Sequence, residues 1–348
     1  MPKLLRYLFI GIVFPVLVQY VSYYQFTTNY TTNAFSEESF DRMYNTSVYK
    51  SRILGKELQT WTYHQLNSIE KFRNLRLADE SNLMFSRSRL LHMDATADPV
   101  FYLSYFLLAA LFSVLTALLL LKILDQEIFK LADQPGKDLA VMVFILFLGF
   151  TQFVVTPYDN PGYFFMAAGI LFFLNYLNTR SSFALIALLI TIAVATFNRE
   201  TSLLILSFMA AVYCVRKGVQ WNWVRQMILP VLCFLIPYLF LKFFYGGGAE
   251  ITEASKLSVN LDIRNSYAIR GLAFGAFLLY FMLTTLNRNR NKLIPYFLLF
   301  SLPYIIIIHV VGVMIEYRLW LPVVLGAIVI SFLPNQPLPA KKSIESKV

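Results

Sequence analysis

Apolar residues along this chain gather in long blocks, and polar residues are confined largely to the gaps between them. A helix crossing a hydrocarbon core of ~30 Å takes ~20 residues, so each block reads as a transmembrane helix. Ten segments fit the pattern: 4–24, 99–123, 138–156, 161–178, 182–197, 202–215, 226–245, 267–286, 293–312 and 319–333. The predicted fold is an all-α polytopic membrane protein of about ten transmembrane helices. A large first extracytoplasmic loop, 25–98, follows the first helix.

Within that loop, 49–65 sets Ile53, Leu54, Leu58 and Trp61 at helical spacing, with Lys50, Arg52, Lys56 and Glu57 elsewhere on the turn. This predicts an amphipathic helix lying in the membrane interface. The stretch 66–90 is also helical in composition, and Gly246-Gly247-Gly248 opens a flexible connection. The chain 1–348 is read as a single integral-membrane domain: 1–24 as the first helix, 25–98 as the loop, 99–333 as the bundle and 334–348 as a cytoplasmic tail.

Composition supports this reading. A hydrophobic share of 57%, only 14% charged residues and a mean hydropathy of +0.58 leave too little polar surface to coat a soluble domain. The net charge of +10 raises the question of nucleic acid, but the cations fall at alternate segment ends. Lys3 and Arg6 precede the first segment, Lys122, Lys130 and Lys137 follow the second, and Arg180 follows the fourth. Arg216, Lys217 and Arg225 follow the sixth, Arg288, Arg290 and Lys292 the eighth, and Lys341, Lys342 and Lys347 close the tail. All lie on one side of an alternating topology, which places both termini in the cytoplasm and argues against a nucleic-acid partner. The start, Met1-Pro2-Lys3, leads into an apolar run without a small-residue cleavage site, so the first helix is read as retained. Cys214 and Cys233 sit in or beside apolar segments as small hydrophobes.

Under that topology the connections 157–160, 198–201, 246–266 and 313–318 are external, and three hold dense polar clusters. Tyr158-Asp159-Asn160-Pro161 reads as a capped helix start, or as a carboxylate facing an external cavity to orient a cation, a metal or an acceptor hydroxyl. Arg199 and Glu200 are more than a short turn requires; they form a structural ion pair or a phosphate site, with Thr201 available as a cap. Glu316 and Arg318 repeat the pattern, flanked by Tyr317 and Trp320, which read as interfacial belt residues. In the first loop Glu37, Glu38 and Asp41 are a solvated acidic cluster or the base that a hydroxyl acceptor needs. Asp94 and Asp98 compete for that role, although Asp98 before Pro99 reads as a helix-start residue.

His64, His92 and His309 share no metal-ligand spacing, and neither a phosphate-binding glycine loop nor a nucleophile elbow occurs. A P-loop pump and a serine hydrolase are therefore excluded. Asn29-Tyr30-Thr31 and Asn45-Thr46-Ser47 match the short glycosylation pattern.

The first helix with its large acidic external loop, the many spans, and the segments YDNP at 158–161, FNRET at 197–201 and EYRLWLP at 316–322 resemble the GT-C class of integral-membrane glycosyltransferases, in particular bacterial members. The resemblance implies an enzyme of the bacterial plasma membrane that uses a polyprenyl-phosphate-linked sugar donor. It implies transfer of a hexosyl or pentosyl unit to a hydroxyl on a glycan, lipid or protein acceptor, with inversion. By the same resemblance, Arg199 and Arg318 hold the donor phosphate, and Glu37, Glu38 or Asp41 supplies the base. Asp159, Asn160, Glu200, Glu316 and Arg52 then support them, with room for a divalent cation, Mg or Mn, at Asp159 or the first-loop acids. The first-loop acids match the paired-carboxylate pattern of such enzymes only approximately. A polytopic transporter or flippase would instead place its polar groups near the midplane, often in two related halves, and this chain shows neither. A polysaccharide polymerase or ligase acting on lipid-linked glycans is close in chemistry.

Overall fold

A computed structural model describes residues 2–26, 35–45, 47–73, 98–129, 132–152, 154–218, 220–245, 256–262, 264–287, 292–312 and 316–334. The principal helices are α1 (Lys3–Tyr24), α2 (Glu37–Tyr44), α3 (Ile53–Ser68), α4 (Pro99–Leu124), α5 (Gln134–Phe150) and α6 (Asp159–Thr179). They continue as α7 (Ser182–Asn198), α8 (Leu203–Lys217), α9 (Trp221–Tyr245), α10 (Ser266–Phe281), α11 (Leu293–Val310) and α12 (Leu321–Ser331). No strand occurs among the described residues. Asn29-Tyr30-Thr31, Thr46 of the second glycosylation pattern, His92, Asp94, most of the 66–90 stretch, the 246–248 glycines and residues 335–348 lie outside them.

Each of the ten apolar segments contains a helix. Five helices are long and apolar enough to cross a membrane: Lys3–Tyr24, Pro99–Leu124, Trp223–Tyr245, Ala268–Leu286 and Leu293–Val310. Ser182–Asn198 and Tyr317–Ser331 are apolar but shorter. At 1.5 Å per residue, Tyr317–Ser331 reaches ~23 Å, less than a hydrocarbon core. Every residue from Leu321 to Ile330 is buried, so α12 is a core helix apolar all round because protein surrounds it. It packs on α4, α5, α6, α8 and α11. At Gly326 an added Cβ would lie 2.5 Å from the Phe297 ring of α11 and 3.1 Å from Met166 of α6.

Around this centre α9 and α10 turn large apolar side chains outward, among them Ile236, Phe243, Phe277 and Tyr280. A face of that kind suits hydrocarbon. At one end of the bundle Arg6 is buried between two carboxylates, Asp125 at 2.7 Å and Asp138 at 2.5 Å.

The loop helix α3 is present, and the face it packs against the bundle is distinct from its apolar stripe. Gly55, Gln59, Tyr63 and Leu66 are its buried residues, whereas Trp61 is exposed and Ile53, Leu54 and Leu58 are only half-buried. The cause lies in α4: the Gln59 amide donates to the Ser104 hydroxyl at 2.6 Å, and Tyr63 O–H donates to Asp98 at 2.9 Å. Buried polar groups need partners, and these bonds fix the helix rotation. Asp98 also caps α4, accepting from Val100 N–H at 2.9 Å, so the helix-start reading of this residue holds. The short α2 inserts Phe40 and Tyr44 into an aromatic cluster with Tyr24, Phe101, Tyr102 and Tyr105.

Candidate functional site at the bundle end

Between α5 and α6 the chain turns through Thr156 and Tyr158, and Asp159 is the first residue of α6. Pro161 therefore sits at the third position of α6, still within the first turn where no amide donor is required. Asp159 does not cap the helix. Its Oδ1 accepts from Arg199 Nη1 and its Oδ2 from Arg318 Nη1, with Thr156 Oγ1 donating to Oδ2 at 2.7 Å. Both arginines come from other connections, Arg199 from the α7–α8 turn and Arg318 from the turn Tyr317–Trp320 ahead of α12. Asp159, Arg199 and Arg318 are all at most 5% exposed. Arg318 Nη2 also donates to Glu316 Oε2 at 2.7 Å.

The turns are held by backbone acceptors. Asn198 donates its amide to the Tyr158 carbonyl at 2.8 Å, Tyr163 its hydroxyl to the Arg318 carbonyl at 3.1 Å, and Tyr304 its hydroxyl to the Leu319 carbonyl at 2.7 Å. Tyr158 is fully buried, and its ring faces three guanidiniums, at 4.3 Å for Arg52, 5.3 Å for Arg199 and 6.0 Å for Arg318. The ring quadrupole attracts each of them, which makes this tyrosine the hub of the cluster.

The outer edge is more open. Arg52 Nε lies 3.6 Å from Glu200 Oε2, and Lys242 Nζ lies 4.0 Å from Glu200 Oε1. The Glu200 and Lys242 side chains are 34% and 37% exposed. Among the described residues Arg52 Nε is buried with no hydrogen-bond acceptor. Burial favours the neutral form of Glu200, but Arg52, a backbone N–H and Lys242 outweigh it and hold the carboxyl below its ordinary value. In the 157–160 connection the same contest is decided the same way: burial opposes charge on Asp159, and the two arginines lower its pKa nonetheless. Four cations, Arg52, Arg199, Lys242 and Arg318, thus meet three carboxylates, Asp159, Glu200 and Glu316, leaving an excess of one positive charge.

The loop helix is seated on this turn by a glycine. A Cβ at Gly55 would fall 2.7 Å from Tyr158 Cβ, 2.9 Å from its Cα and 3.1 Å from the Pro157 carbonyl. Because backbone atoms cannot step aside, Gly55→Ala is expected to lift α3 from Tyr158 at a cost of about 1–3 kcal/mol. Thermal unfolding in detergent measures it, and an unchanged midpoint would contradict the close seating.

Of the residues predicted for the site, Arg52, Asp159, Arg199, Glu200, Glu316 and Arg318 are brought together. Asn160 faces the bundle interior, where it accepts from Ser113 at 3.4 Å. Glu37, Glu38 and Asp41 lie on α2 with other partners: Glu38 pairs with Arg42 at 2.9 Å, Glu37 with His64 at 3.2 Å, and Asp41 with Lys56 at 3.9 Å. Thr201 caps nothing; the Thr196 and Ser202 hydroxyls bond at that corner instead, 3.0 Å apart. Trp320 is 2% exposed against Gly275, so it is a core residue and not a belt residue. A divalent cation does not fit at Asp159, since both carboxylate oxygens already meet guanidinium groups, and no cluster of three metal-ligating side chains occurs among the described residues.

Sequence reasoning missed Tyr158 as the hub, Thr156, and Lys242. The signal for Lys242 is a lone cation in the apolar last turns of α9. Comparison with protein families, curated proteins and solved structures gives no match.

Proposed function

We propose that the chain is a membrane glycosyltransferase that takes a sugar from a polyprenyl-phosphate donor and passes it to a hydroxyl acceptor at the Arg52–Arg199–Arg318 end of the bundle. In this reading ten helices traverse the membrane region, some of them sheltered by others, and that end is extracytoplasmic. The observation that carries the proposal is the convergence of three guanidiniums from three separate segments on one buried tyrosine, with Lys242 joining at Glu200 to leave net positive charge at the edge that stays open. A phosphate diester or monoester anchored in the bilayer matches both the charge and the location.

Roles divide by access. Arg199 and Arg318 are committed to Asp159, so they act as a fixed field behind Tyr158, and Arg52 with Lys242 meets the phosphate directly. As the bond from the anomeric carbon to the phosphate oxygen breaks, charge grows on that oxygen, and preorganised donors stabilise it most at that point. The acceptor oxygen attacks the opposite face of the anomeric carbon, which gives inversion, and its proton passes to a carboxylate. Glu200 is favoured for that proton: once a phosphate neutralises Arg52 and Lys242, the influence holding its pKa down is reduced and it becomes a better base. Glu37, Glu38 and Asp41 are the alternative carboxylates.

The test is a transfer assay with the purified chain, a panel of polyprenyl-phosphate sugars and glycan, lipid and peptide acceptors. Consumption of one donor with an inverted product is expected. Uptake or lipid scrambling in proteoliposomes with every donor left intact would overturn the enzyme reading in favour of a transporter or flippase.

A further inference from the structure

At the opposite end of the bundle a groove of about 510 Å³ opens between α1, α4 and α6. Its floor is Leu115, Leu118 and Leu119 of α4, with Phe164 of α6 beside them. On α4 the spacing continues to Lys122, so residues 115, 118, 119 and 122 form one stripe whose last member is a cation. The stripe runs ~10 Å along the helix axis. α1 closes on α4 at Gly11, where an added Cβ would lie 2.5 Å from Leu118; the groove lies one and two turns nearer the start of α1, at Tyr7 and Lys3.

The two lysines are available. Lys122 is exposed and has no ion-pair partner among the described residues. Lys3 is 77% exposed, and its nearest carboxylate, Asp125 at 3.9 Å, is already occupied by Arg6 at 2.7 Å and by the Tyr7 hydroxyl at 2.9 Å. An apolar trough beside the hydrocarbon region, ending in two weakly used cations where headgroups lie, is complementary to a molecule with an acyl chain and an anionic head. Its volume falls in the range of small-molecule sites, roughly 300–1,000 Å³.

We propose that this groove binds one anionic phospholipid from the leaflet at the Arg6 end, with an acyl chain along Leu115–Leu119 and the phosphate between Lys3 and Lys122. The site is separate from the Tyr158 cluster and independent of the reaction assigned there. Lysines, not arginines, receive the phosphate, because Arg6, the arginine that α1 brings to this corner, is buried between Asp125 and Asp138.

The experiment reconstitutes the full chain in nanodiscs of phosphatidylglycerol and phosphatidylcholine in equal parts, releases it into mild detergent, and reads the retained lipid by native mass spectrometry. The wild type is expected to retain one phosphatidylglycerol in preference to phosphatidylcholine. Lys3→Gln with Lys122→Gln is expected to reduce that preference by roughly thirtyfold, from about 1 kcal/mol per lysine. Both lysines are exposed, so the fold is preserved. Leu119→Trp, which fills the trough, is expected to lower retention while leaving both cations in place. Equal retention of the two lipids by the wild type, meaning annular lipid only, would overturn the proposal, as would a double lysine variant that still prefers phosphatidylglycerol.

Discussion

Asp159→Ala is expected to cost the protein about 3–5 kcal/mol of stability, the largest effect of any single substitution considered for this bundle. The change leaves two guanidiniums, each at most 5% exposed, facing each other across the space the carboxylate filled. Glu316 can compensate Arg318, with which it pairs at 2.7 Å. Asp159→Asn keeps an acceptor and is expected to cost less, though still more than the loss of a neutral hydrogen bond. Denaturant unfolding in detergent is the measurement, and a loss below about 1 kcal/mol would show that the triad is not what ties the three connections together. The pH dependence has a definite sign. The folded-state pKa of Asp159 is depressed, so its contribution is complete above the unfolded value near ~4 and fades as pH falls through the lower folded value. The difference between wild type and Asp159→Ala should therefore narrow on acidification.

Arg52→Ala and Glu200→Gln are expected to reduce sugar transfer on the order of 10²-fold or more while leaving the protein folded. Stability should change by less than about 2 kcal/mol, since the Arg52–Glu200 contact is 3.6 Å long and partly open to solvent. Arg52→Lys keeps the charge but loses the planar fork, so partial activity is expected. If Arg52 acts on the departing phosphate, kcat and kcat/KM should fall together; a rise in KM alone would assign it to ground-state binding. Glu38→Ala is the control for the base. A larger loss with Glu38→Ala than with Glu200→Gln would return that role to the first-loop acids. Full transfer activity in both Arg52→Ala and Glu200→Gln would remove the site from this end of the bundle.

Much of this cluster was legible because ionisable residues at helix ends near a membrane are costly and seldom incidental. Spacing of the apolar blocks put the Asp159, Arg199 and Arg318 connections on one side of the chain's path, and they do meet. What spacing does not encode is stoichiometry: nothing in YDNP or FNRET indicates that one carboxylate would take both guanidiniums and leave Arg52 and Lys242 at the open edge. The face of α3 that meets the bundle is not encoded in its apolar spacing either, for a related reason. The apolar stripe marks the side suited to a membrane interface, whereas Gly55 against Tyr158 and Gln59 against Ser104 set the side that meets the bundle by close approach and hydrogen bonding. Trp320 was misplaced because amphipathic rings suit both an interface and a core, and the sequence does not reveal that Gly275 opens a slot for it.

The position of α12 bears on how the molecule is made. Ribosomes deliver this helix after the eleven principal helices that surround or precede it, yet it occupies the middle, so the inward faces of α6, α8 and α11 remain without their partner until synthesis has passed residue 331. Shorter than the ~20 residues that cross a hydrocarbon core, it gains its burial from the earlier helices and is expected to take its place only once they have assembled. A chain released at residue 316 is accordingly expected to be cleared by quality-control proteolysis, even though the five described helices long and apolar enough to cross a membrane have already been synthesised.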